Sequence, residues 1–323
     1  MRRWVRVALL LALSASQASA AAGTSTGIER YVSWRATAAR ILAQRADAES
    51  LAAAAALTFL AHATHAEATA QHAAAVELAS RASALAPADA PIAWLRLELC
   101  AATLGCDIRD PATAMRWIDA DNAAAWLPSL VLAERERNGV EVERILNEMA
   151  LAQRFDFHWS RTVLRLFDAL RSMRTALPAG YVPSDLARYQ EATDVADLEV
   201  LPPLAPLGAA CRGSAERREP CLKVATLMQR GDTVIAQMAG FGIEKRWIAP
   251  ESREAHALAE RRQLLEWRLA AANRAEESIL PWRTSGYARR RIAALRTHAR
   301  EEDVLLVVLR QNRLPLEPAE GSR

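Results

Sequence analysis

His62, His65, Glu67 and His72 stand within eleven residues of one another on Ala-rich sequence. If that sequence is helical, His62 and His65 are i,i+3 neighbours and His72 lies two turns beyond His65, so three imidazoles approach one face. Such a set suits Zn or Cu, which take neutral imidazole nitrogens. The plainer account is a bend near residues 64–69 between two helices, with surface histidines scattered among alanines. No metal and no cofactor is expected.

The four cysteines form two close pairs, Cys100/Cys106 and Cys211/Cys221. An even count in an exported chain reads as disulfides, for which four cysteines allow three connectivities. Local pairing is preferred, because a short chain segment already holds each partner near the other. Free buried thiols and a four-Cys metal site are the competing accounts, but neither spacing is the tight two-residue kind that zinc favours.

Other chemistry is sparse. Glu134/Glu136, Glu216/Glu219 and Glu301/Glu302 sit in mixed-charge sequence with arginines nearby, the pattern of a solvated helix face rather than of an acid–base pair separated by burial. Arg289, Arg290 and Arg291, with Arg283, Arg296 and Arg300, could meet an anionic surface such as lipid headgroups or a cell-wall polymer. The reading adopted is a helix face that packs its stems and exposes its charge. Nine tryptophans, Trp94, Trp126, Trp159, Trp247, Trp267 and Trp282 among them, could line a groove, but their helical spacing in apolar segments points to core packing. The chain has no Gly-rich phosphate loop, no nucleophile elbow and no H-E-x-x-H pair, so no catalytic residue is assigned.

The elements that position these groups read as helices. Residues 28–313 are rich in Ala, Leu, Arg and Glu, and alternating β-branched runs are scarce. Prolines 87, 111, 128, 178, 183, 220, 250 and 281 punctuate the periodic segments, often beside Asp or Ser that can cap the next helix. The VLLVVL run at 304–309 continues a charged helical pattern from Ile292 and is read as helix. Asp232 is expected to head a helix running towards Trp247, Ser252 to cap the next, and residues 285–312 to form the last.

Residues 1–20 have the parts of a secretory leader: Arg2, Arg3 and Arg6, a short apolar stretch at 7–13, and a small-residue cleavage site at 18–20. The apolar stretch falls short of the roughly 20 residues that a membrane span needs. Without the leader's three arginines, 38 basic residues face 38 acidic ones, so the overall basic balance is no nucleic-acid footprint. The roughly 300 residues that follow the leader can bury a sizeable core.

Internal similarity is carried by PADAPIAW at 87–94 and DADNAAAW at 119–126, 32 residues apart. On these residues the chain resembles the tetratricopeptide repeat, across about residues 33–156, roughly 40 per cent of its length. The resemblance places Phe59 at a leading aromatic position, Ala63, Ala75 and Ala82 at small positions, and Pro87 at the close of a unit. It places Trp94 at the opening of the next unit with Gly105 in its turn, and Trp126 at the opening of another with Gly139 in its turn. It implies an all-α fold, a solenoid of helical hairpins over 28–200. A Pro-rich linker at 201–210, an irregular helical domain at 211–316 and a frayed tail at 317–323 complete the expected plan. It further implies a periplasmic or secreted interaction module that holds a protein or peptide partner. The alternative is an enzyme acting on envelope polymers, with a site near the Pro-rich junction.

Overall fold

The computed structural model describes residues 24–61, 65–173, 184–198, 204–212, 215–279 and 285–318. The leader, His62, Ala63, Pro178, Pro183, Trp282, Arg283 and residues 319–323 lie outside them. The described residues form fifteen α-helices and no strand, so the fold is all-α. In chain order these are α1 (Thr24–Ala43), α2 (Ala48–Leu60), α3 (His65–Leu85), α4 (Ala90–Ala102), α5 (Arg109–Ile118), α6 (Leu127–Arg135), α7 (Gly139–Leu151), α8 (Trp159–Ser172), α9 (Ser184–Leu198), α10 (Leu204–Ala210), α11 (Arg218–Met228), α12 (Val234–Glu244), α13 (Arg253–Ile279), α14 (Ser285–Thr297) and α15 (Glu301–Gln311).

Local chemistry accounts for five of the helix starts. Asp47, Asp89, Asn138 and Thr233 accept hydrogen bonds from the backbone N–H three residues on, at 2.7, 2.9, 3.1 and 3.3 Å, which satisfies donors a helix leaves unpaired. Ser252 does the same for Ala255. Gly105, in the α4–α5 turn, has φ +83°, a conformation that costs glycine nothing.

Consecutive helices pack in pairs from α1 to α5, and α6 with α7, α8 with α9 and α11 with α12. Helices far apart in the chain pack as well: α2 against α8, α7 against α11, α9 against α14, α13 against α15. α2 sits at the centre of the first group, with Ala52 to Ala56 all buried, and these small side chains let α1 and α3 come close.

Three apolar cores result among the described residues. The first gathers Leu42, Leu57, Phe59, Ala75, Ala82, Phe167, Ala192 and Ile292 from α1, α2, α3, α8, α9 and α14. The second joins Trp94, Met115, Leu130, Ile145, Phe155 and Leu207 to the Cys211–Cys221 pair and Met228. The third lies among α12, α13 and α15. α4 turns Ile92, Leu95 and Leu99 into the first core and Trp94 and Leu97 into the second, while α12 divides Ala236 and Phe241 between the second and third. A helix apolar on opposite faces is the one that can join two cores.

Three expectations change. The three prolines of residues 201–210 oppose a helix and favour a linker, yet Leu204–Ala210 is α10, with Leu207 and Ala210 buried in the second core. Pro206 is the third helical residue, where no intrahelical acceptor waits for its missing N–H. The last helix is two, broken at residues 298–300 between α14 and α15. Asp232 does not cap its own helix; Thr233 does.

Candidate functional site

Three segments meet where α5, α7 and α11 end: residues 119–126 with their 3-10 turn, residues 152–158 before α8, and the α11–α12 turn at 231–233. Backbone bonds join the first two, Ala123 N donating to Arg154 O at 2.9 Å and Gln153 N to Asp121 O at 2.9 Å. Asn122, fully buried, uses its whole amide. Nδ2 donates to Asp119 Oδ2 and the Asp156 carbonyl at 2.6 and 2.7 Å, and Oδ1 accepts from Asp156 N and Ala124 N at 2.9 and 3.1 Å.

Charged groups fill the junction. Arg154 Nη2 donates to Asp119 and, at 3.3 Å, to Asp121, while Nη1 donates to Asp156 at 3.1 Å. His158 Nε2 lies 2.9 Å from Asp119 Oδ2, so the acidic partner fixes the proton on Nε2. Nδ1 is buried and without a hydrogen-bond partner among the described residues, 3.7 Å from Asp156 Oδ1. His158 has φ +60°, costly for a residue with a Cβ, and its N–H donates to Asp156 Oδ1 at 2.6 Å.

Burial works against ionising Asp119, but the hydrogen bonds from His158 and Asn122 and the nearby positive charge together hold its carboxyl below the usual range. Asp156 is lowered in the same way, its burial outweighed by His158, Asp232 and Arg154. Asp232 moves the other way: burial and the Asp156 carboxylate push it well above the usual range, against two backbone donors. Asp232 thus holds a proton more tightly than an ordinary carboxyl, as one of two neighbouring buried carboxyls does.

An imidazole oriented by a carboxylate is the base half of an acyl-transfer site. Here, however, the His158 side chain is wholly enclosed and the neighbouring hydroxyl, Ser160 Oγ, donates to Ala299 O at 2.8 Å. The junction is a clasp, binding the second core to α8 and α12. Its residues come from three distant segments. The one sequence signal is the dense polar–aromatic alternation of residues 154–159.

Of the residues singled out by sequence, Cys100/Cys106 and Cys211/Cys221 stand at disulfide distance, S–S 1.99 and 2.02 Å. Phe59 is buried and stacks on the His72 ring, centroids 4.0 Å apart. Ala75 and Ala82 are fully buried, and Pro87 is exposed in the α3–α4 turn. Gly139 opens α7 behind its Asn138 cap instead of lying in a turn. Ala63, His62 and the side chains of His65 and Glu67 are outside the described residues.

The two repeat-like tryptophans differ. Asp89 caps α4 and Asn122 caps the 3-10 turn, so the caps are one residue further apart than the tryptophans. One residue turns a helical side chain by about 100°. Trp94 is accordingly core, against Phe157 at 5.6 Å, whereas Trp126 is half-buried with the Arg116 and Arg144 guanidiniums 5.1 and 5.5 Å from its ring centre. Burial and then the Arg144 charge lower the Arg116 pKa. Trp117, next along α5, is 82% exposed. No protein-family model, curated protein or solved structure matches the chain.

Proposed function

We propose that this chain is an exported interaction module whose tetratricopeptide-like helical hairpins hold a protein or peptide partner in the cell envelope. The observation that carries the reading is the surface of α5 and the 3-10 turn: exposed Trp117, and Trp126 between Arg116 and Arg144. Tryptophan and arginine dominate protein-binding hot spots, because each buries a large area and still offers polar or cationic contacts. Leaving Trp117 in water costs about 2 kcal/mol or more that a partner's surface would recover. Two disulfides and the sequence of the leader support an oxidising location. Among the described residues no helix is long and apolar enough to cross a membrane.

The test is capture from envelope extract by the tagged chain, wild type against Trp117→Ala/Trp126→Ala. A partner retained by the wild type and lost by the variant, at unchanged thermal stability, is the expected result. Equal retention by both removes the reading. Protein recovered from its host should begin at Ala21, and an intact Met1 would end the export claim.

A further inference from the structure

Residues 278–300 contain six arginines and no Asp or Glu. They stand in a chain whose charge is divided: residues 21–200 hold 17 basic against 23 acidic side chains, residues 201–323 hold 21 against 15. α14 lies within that acid-free stretch. Its Tyr287, Ala288, Ile292 and Leu295 are buried in the first core, which fixes the helix's rotation. Arg289 and Arg290 are consequently turned to solvent, and among the described residues neither has a carboxylate within ion-pair distance. Arg296 is also exposed, shared with Asp168 at 2.8 Å. Arg300 reaches Glu302 at 2.7 Å.

We infer that the outer face of α14 docks on an anionic lipid bilayer, its guanidiniums meeting headgroup phosphates. Charge complementarity selects an anionic partner, and the shape of the face selects a bilayer. Only Ala293 and Thr297 separate the arginines there, both exposed and neither large enough to form a wall, so nothing grips an individual peptide side chain. A planar fork of N–H donors matches phosphate oxygens in pairs, and a bilayer offers such groups at every approach. Binding of this kind is additive in charge and weakens with salt. It uses a different helix from the Trp117 surface, so it stands or falls independently of the partner proposed above.

The experiment is co-sedimentation of the purified full chain with vesicles of phosphatidylcholine containing phosphatidylglycerol, and with phosphatidylcholine alone, at low and high salt. The wild type should bind only the anionic vesicles and release in high salt. Neutralising two arginines, Arg289→Gln/Arg290→Gln, should weaken binding about 30-fold, and Arg289→Glu/Arg290→Glu more. Both sites are exposed, so circular dichroism and melting should match wild type and separate lost binding from lost fold. Equal binding by the variants, or equal binding to both vesicle types, overturns the inference. So does salt-sensitive self-association in sedimentation velocity without vesicle binding, which would assign the face to the acidic half of a second copy.

Discussion

Asp232 and Trp159 are joined across 73 residues: the Asp232 carboxyl oxygen Oδ2 accepts the backbone N–H of Trp159 at 3.1 Å, and Oδ1 accepts that of Phe157 at 2.9 Å. α8 has no cap of its own, since His158 offers no side-chain bond, so a residue from another turn supplies it. The arrangement repeats one step on. Glu301 Oε2 accepts Val234 N at 2.7 Å at the start of α12, while Glu301 N donates to Asp232 O at 2.7 Å. α8, α12 and α15 are thus capped through one another, which ties the three cores into a unit.

Asp119→Ala should destabilise the fold by about 3 kcal/mol, because it strands the Nε2 donor of His158 and one amide hydrogen of Asn122 in a closed space. Urea unfolding measures this. A loss below about 1 kcal/mol would mean that the clasp is not holding the cores together.

The clasp also predicts an acid limit. Asp119 and Asp156 have folded-state pKa values below the unfolded value of about 3.9, so their stabilisation is complete above that pH and disappears as pH falls through the lowered values. Asp232 has the opposite sign. Its raised pKa means a cost that grows as pH rises from about 4 towards its folded value. Stability against pH should fall steeply below pH 4 in the wild type and more gently in Asp119→Asn. If both acid limbs coincide, the lowered carboxylates are elsewhere.

Gly240→Ala should cost about 1–3 kcal/mol by overpacking, since a Cβ there would meet Ala225 O at 2.8 Å and Met228 Cβ at 2.9 Å where α11 and α12 cross. Gly242→Ala, two residues on, meets nothing within 4 Å and should be neutral or slightly stabilising. Thermal melting of the pair compares the two, and equal effects would argue against the close crossing.

Mild reductant should open the two disulfides in order. Cys211 and Cys221 are both wholly buried, while Cys106 is partly exposed, so alkylation followed by peptide mass analysis should label Cys100 and Cys106 first. Each closed loop contributes about 2–3 kcal/mol in the chain-entropy account. Simultaneous labelling would show that opening of the whole fold, not access to one sulfur, governs reduction.

Much was legible in the residues alone wherever the cause is local. Ala, Leu, Arg and Glu favour helix by their own backbone and side-chain entropies, Asp89 and Ser252 each cap a backbone N–H only three residues away, and cysteines six and ten residues apart pair because little chain separates them. Tertiary structure alone decided which face of each helix is inside. Trp94 and Trp117 have the same chemistry and helical setting, yet one is core and the other is bare, because neighbouring helices cover only one of those directions. It alone also made α10 a helix despite its prolines, and brought Asp119, His158 and Asp232 together. Burial and charge coupling between segments tens of residues apart exist only once the chain has folded, and no local pattern records them.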